Sequence, residues 1–281
     1  MVMHRSLIDR FFRQLALACI PLAMLPTVAL AAKAAPRIWQ EPHTGMPFVA
    51  LPKGCFQMGS AVSAKGAMDG SLYQFRYGPG ADEQPRHEVC IDAFLIGQFE
   101  VRANDWVKVM GENPPGGNGP EPAGGISYDA AQEFARRLTQ MSEGKYRFRL
   151  PTEGEWEYAC RAGQKKEAMP FDNDHVDVAW YSVSGHRVLK PNAVGALKPN
   201  AWGLHDMLGN VWEWVEDGYR HDAYSRHALY NPVVKEARDG QRVIRGASHR
   251  SDFIQVRCAK RAFYPASDAL GQIGLRLVRQ P

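Results

Sequence analysis

The sequence is poor in cysteine, in net charge and in long apolar runs, and each scarcity excludes a class of protein. Its 281 residues include five cysteines, none of them in a C-x-x-C pattern, which argues against a zinc site. No histidine is followed four residues later by histidine or glutamate, so no helix presents an H-x-x-x-H/E metal-binding face. The formal net charge is only +4, which argues against a nucleic-acid partner.

The longest apolar run lies near the N-terminus and has the features of an export signal. Three arginines precede it, two prolines interrupt residues 15–30, and the A-L-A at 29–31 is a small-x-small cleavage pattern. A spanning helix needs roughly 20 consecutive apolar residues, so we expect cleavage, a periplasmic location and no membrane-spanning segment afterwards. The predicted organisation is a signal peptide at 1–32 cleaved near Ala31 or Ala32, a leader at 33–45 and one domain at 46–281.

The composition after residue 46 is typical of one loop-rich domain. The sequence is 45% hydrophobic, enough for a sizeable core, and no linker rich in Pro, Ser and Gly divides it. Its 26 glycines and 19 prolines favour irregular structure over a helical bundle or a parallel sheet. Residues 48–51 and a pair of strands over 87–101, bent at Gly97, alternate as strands do. We therefore expect an α+β domain.

Helices are predicted from apolar spacing and capping residues. Residues 104–110 have the pattern of a short helix, and Ser127 is placed to cap a longer one with an apolar stripe. Thr152 and Glu155 form a capping-box pattern at the start of a further helix. The acidic residues of that first turn stabilise the helix dipole, which favours a structural role over a catalytic one.

Three segments carry a family resemblance: RLPTEGEWEYACRAG (149–163), NAWGLHDMLGNVWEWVEDGY (200–219) and RVIRGASHRSDFIQVRCAKRA (242–262), closed by IGLRLVR (273–279). In this order they resemble the formylglycine-generating enzyme, or sulfatase-modifying factor, family. The resemblance implies the α+β formylglycine-generating-enzyme fold, which is similar to the C-type-lectin fold. That fold is loop-rich and has a small twisted antiparallel sheet with a few helices.

The cysteines outside the signal peptide number four and allow three pairings. In an oxidising compartment we expect two disulfides. The resemblance selects the pairing, because the family bonds the cysteine of the E-W-E-Y-A-C helix to that of the R-C-A segment. It thereby implies Cys160–Cys258 and leaves Cys55–Cys90.

The third segment lacks what catalytic members of the family carry there, a copper-binding cysteine pair. No cysteine lies between Ser248 and Arg257, so the resemblance implies no copper-thiolate site and no formylglycine-generating activity. The chain resembles an exported branch without that pair, which serves pyoverdine siderophore maturation. That branch implies an oxidoreductase acting on the dihydro-chromophore of a peptide siderophore precursor. The alternative is a non-catalytic binding or assembly module of the cell envelope, with another envelope ligand.

Candidate site residues come from the second and third segments. The predicted proton acceptors are Glu213, His249 and Asp252. The predicted substrate-binding residues are Trp212, Trp214, Ser248, Arg250 and Arg257. The alternative interpretation is a surface patch of ion pairs beside aromatic residues that merely pack.

A calcium site is predicted at the G-N-V-W-E-W motif. Asn210 and Glu213 supply the hard oxygen ligands that calcium prefers, and the family carries calcium there. The alternative is that Asn210 caps a turn while Glu213 pairs with a buried arginine.

Overall fold

The structure is a computed structural model in which residues 36–60, 80–164, 179–182 and 190–280 are described. The predicted signal peptide and residues 33–35 of the predicted leader lie outside the described residues. Within the described ranges no helix combines the length and apolar character needed to cross a membrane.

Short strands make up most of the regular structure, and the described ones fall into four sheets. They are β1 (Ile38–Gln40), β2 (Pro47–Leu51), β3 (Gly54–Met58), β4 (His87–Ile91), β5 (Phe94–Gly97), β6 (Phe148–Arg149), β7 (Ala179–Trp180), β8 (Leu208–Gly209), β9 (Trp212–Gly218), β10 (Gln241–Arg245), β11 (Ala262–Pro265), β12 (Ile273–Leu275) and β13 (Val278–Arg279). One sheet has the order β1-β2-β5-β13-β6 and another β11-β10-β9-β12, while β3 pairs with β4 and β7 with β8. Pairing is antiparallel except for β9–β12 and β7–β8.

Three α-helices in the described part match the predicted ones. They are α1 (Ala103–Met110), α2 (Tyr128–Met141) and α3 (Glu153–Arg161). The Ser127 side chain accepts a hydrogen bond from the backbone N–H of Ala130, and Thr152 and Glu155 form the reciprocal capping box. Few helices and mainly antiparallel strands confirm the predicted α+β class.

The N-terminal boundary of the domain lies earlier than the sequence predicted. Residues 36–281 form one compact unit, so the stretch from 36 to 45 belongs to the domain rather than to a leader. β1 pairs along β2, and its Trp39 ring packs against Phe48 and Phe148 at centroid distances of 5.7 and 6.3 Å. Packing of this half-buried tryptophan against the two rings holds the segment on the sheet.

The strand pair expected over residues 87–101 is divided between two sheets. β4 pairs with β3, whereas β5 pairs with β2 and β13. The break falls at residues 92–93 rather than at Gly97, which ends β5. This division places Glu100, just after β5, next to the turn that precedes β9.

Both predicted disulfides are confirmed. Cys55 and Cys90 lie at directly opposed positions of β3 and β4. Cys160, at the end of α3, bonds to Cys258 across a sequence separation of 98 residues. A link of that length removes much of the unfolded chain's freedom, about 4–5 kcal/mol as an upper bound from chain entropy.

Candidate functional site

The second and third family segments pack directly against each other. The Gly209 N–H donates to the carbonyl of Gly246 over 2.7 Å, and the His249 N–H donates to the carbonyl of Asn210 over 2.8 Å. Gly209 has a φ of +87°, and a Cβ there would collide with the Trp180 backbone. This tight turn aims the Asn210 carbonyl at the loop that holds Ser248 to Arg257.

His249 is the predicted acceptor that the structure equips best for proton transfer. Its imidazole is 2% exposed, and Nδ1 lies 2.8 Å from the Asn210 carbonyl, which can only accept, so Nδ1 carries the proton. The Nε2 lone pair has no partner, although the atom is buried. Burial lowers the pKa of His249 below its ordinary value of 6.5, so the ring is neutral at pH 7. A neutral imidazole with a free lone pair is a proton acceptor.

The loop around His249 is held by its own serines. The Ser248 N–H donates to Ser251 Oγ over 3.0 Å, and the Arg250 N–H donates to Ser248 Oγ over 3.2 Å. Ser248 is buried and its hydroxyl group is hydrogen-bonded within the loop, whereas the Arg250 and Asp252 side chains are exposed. The exposed pair is available to a ligand at the surface of the loop.

Glu213 is not available as a proton acceptor, which corrects the sequence prediction. It is 1% exposed and accepts hydrogen bonds from Arg276 Nη2 over 2.8 Å and from Trp156 Nε1 over 2.7 Å. Arg276 Nε also lies 3.1 Å from both carboxylate oxygens. Both oxygens are saturated, so the structural alternative, pairing with a buried arginine, describes this residue.

Three predicted substrate-binding residues are also buried in the folded domain. Trp212 and Trp214 belong to the hydrophobic core, and Trp214 Nε1 donates to the Ile126 carbonyl over 2.7 Å. Arg257 donates to both oxygens of Glu83 over 2.8 and 2.9 Å. In this conformation none of the three presents a surface to a ligand, because core packing and a buried ion pair occupy them.

Two carboxylates that the sequence analysis did not name lie beside Asn210. Glu100 accepts from Asn210 Nδ2 over 2.6 Å and from the Val211 N–H over 3.1 Å. Asp206 accepts from the Gly195 N–H over 2.6 Å, but its buried Oδ1 has no partner. Burial, and then repulsion by Asp206, raise the pKa of Glu100 well above its ordinary value. A charged residue directly after an apolar strand was the available sequence signal for Glu100.

These contacts test the predicted calcium ligands. Glu213 does not fit the role of a calcium ligand, because Arg276 and Trp156 donate hydrogen bonds to its oxygens. The oxygen of Asp206 that has no partner and the neighbouring carboxylate of Glu100 do fit a hard cation. The described residues contain no group of three or more His, Cys, Asp or Glu side chains arranged for a metal. A calcium ion here would therefore also need amide and backbone carbonyl oxygens of neighbouring residues.

Partnerless polar atoms concentrate around Asn210. The Trp180 carbonyl accepts from the Asn210 N–H over 2.9 Å, and the Asn192 N–H donates to Asn210 Oδ1 over 3.0 Å. Trp180 Nε1 and Asn192 Nδ2 are buried without partners, as are Asp206 Oδ1 and His249 Nε2. Buried polar groups are nearly always hydrogen-bonded, so this concentration indicates a place where a ligand, ion or water completes the bonding.

The glutamates of α3 are structural, as the sequence predicted. Glu153 pairs with Arg261 over 2.7 Å, Glu155 with Arg149 over 2.7 Å, and Glu157 with Arg161 over 2.7 Å. All three carboxylates are buried in these pairs. They hold the helix to the strands and loops around it and take no part in the candidate site.

Comparison with known proteins gives one family. The model of the sulfatase-modifying factor enzyme 1-like domain matches residues 35–281. The mouse (Mus musculus) formylglycine-generating enzyme is 34% identical over 144 residues, which are 46% of this chain and 38% of that protein. The chaperone protein LppX of Paenibacillus barcinonensis is 30% identical over 182 residues, 47% of this chain and 65% of that protein. The chain therefore spans less than two thirds of either relative.

One solved structure is similar over nearly the whole domain. PvdO from Pseudomonas aeruginosa superposes with a TM-score of 0.73 and 25% identity, covering 89% of this chain and 100% of that one.

Proposed function

Since the chain belongs to the sulfatase-modifying factor enzyme 1-like family, we propose that it is an exported oxidoreductase acting on a peptide siderophore precursor. Its substrate is the dihydro-chromophore of a pyoverdine-type precursor, and its location is the periplasm. The similarity to PvdO over 89% of the chain supports this branch of the family. Two disulfides are consistent with export.

The observation that carries this proposal is the free lone pair of His249 Nε2. Oxidation of the dihydro-chromophore removes two hydrogens from the substrate. His249 Nε2 accepts one as a proton, while the Asn210 carbonyl holds the ring through Nδ1–H and stabilises the imidazolium that forms. The two electrons and the second proton pass to dioxygen, which becomes hydrogen peroxide when the proton held by His249 follows. Exposed Arg250 and Asp252 orient the peptide by charge at the rim of the loop.

Copper held by two thiolates has no counterpart in this mechanism. Every cysteine in the described part of the chain is in a disulfide, and none lies in the segment from 248 to 257. The chemistry therefore depends on a substrate that is easily oxidised, which a reduced catechol-like chromophore is.

The experiment is a direct assay of purified protein with the dihydropyoverdine precursor, in air and under argon. We expect the loss of two hydrogens, detected by mass spectrometry, together with the absorption change of the aromatised chromophore. Comparison of the two atmospheres identifies dioxygen or another acceptor. In the parallel arm, a peptide carrying the sulfatase cysteine motif should keep its thiol even with added copper. Formation of the aldehyde, or no change in the precursor under any condition, would reject the proposal.

The pH profile of the reaction should have an acid limb set by His249. Burial lowers its pKa below 6.5, so the acceptor form is present at neutral pH and is lost as pH falls through the lowered value. We expect kcat/KM to fall on the acid side with a midpoint below 6.5. Asp252→Asn, which alters an exposed carboxylate of the same loop, should leave that midpoint where it is. A limb that moves with Asp252→Asn would assign the titration to Asp252 instead.

We also propose that Asp206 and Glu100 hold a structural calcium ion together with oxygens around Asn210. Calcium would neutralise two buried carboxylates, so its removal should destabilise the native state. At a calcium concentration of about 100 Kd the ion contributes about 2.7 kcal/mol, so chelation should lower Tm by about 5–10 °C. Asp206→Asn should abolish the calcium dependence of Tm, and the exposed change Glu133→Gln should preserve it. Equal Tm with calcium and with chelator would show that the carboxylates are neutralised by protons.

The second candidate is a non-catalytic binding or assembly module of the envelope. The similarity to a protein named as a chaperone, over 182 residues, favours it. Under this alternative the precursor, or another envelope ligand, binds without changing mass, and His249 variants alter affinity only.

A further inference from the structure

Two histidines from distant segments face each other outside the site around His249. His87 begins β4, and His227 lies in the loop between β9 and β10, 140 residues further along the chain. His87 Nε2 and His227 Nδ1 are 3.1 Å apart. Both side chains are half-buried, so the pair is partly open to solvent. The proposed oxidation does not use it.

Backbone pairing brings the two histidines together. Cys90 and Tyr230 form a parallel bridge, in which the Cys90 N–H donates to the Leu229 carbonyl over 2.7 Å and the Asn231 N–H donates to the Cys90 carbonyl over 2.9 Å. Each histidine lies three residues before a bridge residue, so the same step back along two parallel segments sets them opposite each other. The Tyr224 ring packs against both imidazoles at centroid distances of 5.0 and 5.2 Å. The arrangement is therefore preformed.

The hydrogen bonds of the two rings determine where their lone pairs lie. His87 Nδ1 is 2.9 Å from the Pro85 carbonyl, which can only accept, so Nδ1 carries the proton and Nε2 presents a lone pair. Metal-binding histidines usually make this kind of second contact, because it fixes the ring and makes the other nitrogen more basic. His227 Nε2 is buried without a partner, so His227 can reach an ion only through Nδ1. With its own proton on Nε2, His227 presents a second lone pair beside the first.

The separation of the two facing nitrogens fits a shared metal ion. Zinc–imidazole bonds of about 2.0–2.1 Å place two neighbouring ligand nitrogens roughly 2.9–3.4 Å apart, for angles between about 90° and 109° at the metal. The separation of 3.1 Å between His87 Nε2 and His227 Nδ1 lies within that range.

The chemistry of the ligands limits the metal. Neutral imidazole suits copper and zinc, and copper(II) binds such nitrogens most tightly of the divalent first-row ions. Thiols do not compete in the described part of the chain, where both cysteine pairs are disulfides. No third His, Cys, Asp or Glu side chain of the described residues joins a metal-binding group, so water completes the coordination.

We propose that His87 and His227 together bind one divalent transition-metal ion, copper(II) more tightly than zinc(II). The ion replaces a single hydrogen bond between the rings by two metal–nitrogen bonds, and it joins the start of β4 to the loop before β10. The proposal is independent of the proposed oxidation. It is also independent of the proposed calcium site, because calcium takes oxygen ligands rather than imidazole.

The test is titration of the full, metal-free protein with copper(II) in a non-coordinating buffer, followed by calorimetry and electron paramagnetic resonance. We expect one tightly bound ion per chain, with a hyperfine pattern from two imidazole nitrogens. His87→Gln and His227→Gln should each weaken its binding at least tenfold. The matched control His221→Gln removes an exposed histidine of the same loop and should bind copper like the parent. Zinc(II) should compete for the site with lower affinity, and calcium should not compete.

Two results would overturn the proposal. Coupling to fewer than two imidazole nitrogens, or equal affinity in the parent, His87→Gln and His227→Gln, would show that the two rings form a hydrogen bond only. Loss of copper in His249→Asn, with binding retained in His227→Gln, would place the ion at the site around His249. The resonance spectrum is recorded on the parent protein, so the test stands even if one of the variants fails to fold.

Discussion

Replacing His249 by asparagine should reduce turnover of the precursor by at least about 100-fold, the usual contribution of a positioned proton acceptor. The asparagine amide can still donate to the Asn210 carbonyl from the position of Nδ1, so the loop keeps its anchor. What disappears is the free lone pair of Nε2, which is the only feature of the residue that the mechanism uses. The loss should therefore fall on kcat and leave KM within a few-fold of the parent value.

Two measurements separate this role from a structural one. The acid limb of the pH profile should vanish in the residual activity of His249→Asn, since the titrating group is gone. Asp252→Asn, a conservative change in the same loop, should raise KM while kcat stays close to the parent value, because that exposed carboxylate orients the peptide and does not take the proton. Full activity in His249→Asn would place the chemistry at another residue and contradict the proposed role of His249.

Replacing Glu213 by glutamine should lower the free energy of unfolding by about 3–5 kcal/mol, because it leaves a buried arginine without its counter-charge. Arg276 is fully buried, and two of its nitrogens bond to Glu213. For a domain of this size the change corresponds to a fall in Tm of roughly 10 °C or more. Any loss of activity should follow the fraction of folded protein and should not appear in kcat of the folded enzyme.

Chemical unfolding of matched variants measures this effect. Glu133→Gln, which breaks two solvent-accessible pairs on α2, with Arg136 and with Arg137, should lower stability far less than Glu213→Gln. Adding Arg276→Met to Glu213→Gln should recover part of the loss, since the unpaired charge is removed with its partner. If Glu213→Gln has parental stability but loses turnover, the glutamate acts in chemistry after all.

The local features of the fold could be predicted because their causes are local. Ser127 and Thr152 cap helices with side chains that bond three residues away, so spacing alone locates α2 and α3. The disulfides required the family resemblance, because four cysteines allow three pairings and no spacing rule chooses among them. The position of β1 was missed, since its Trp39 packs against Tyr146 and Phe148, which lie far along the chain, as well as against Phe48.

The sequence by itself determined the family, the capped helices and the absence of a cysteine pair in the loop at 248–257. Only the tertiary structure decided which polar residues remain available for chemistry. Glu213 and Arg276 are 63 residues apart, and Arg257 and Glu83 are 174 residues apart. The local sequence therefore cannot show that the members of each pair bind each other and are unavailable to a ligand. His249 differs because its Nδ1 is bonded to a carbonyl while its Nε2 is left without a partner. Burial and long-range pairing are properties of the folded chain. They removed Glu213 from the three predicted acceptors and left His249 with a free lone pair, while Asp252 stays exposed at the surface of its loop.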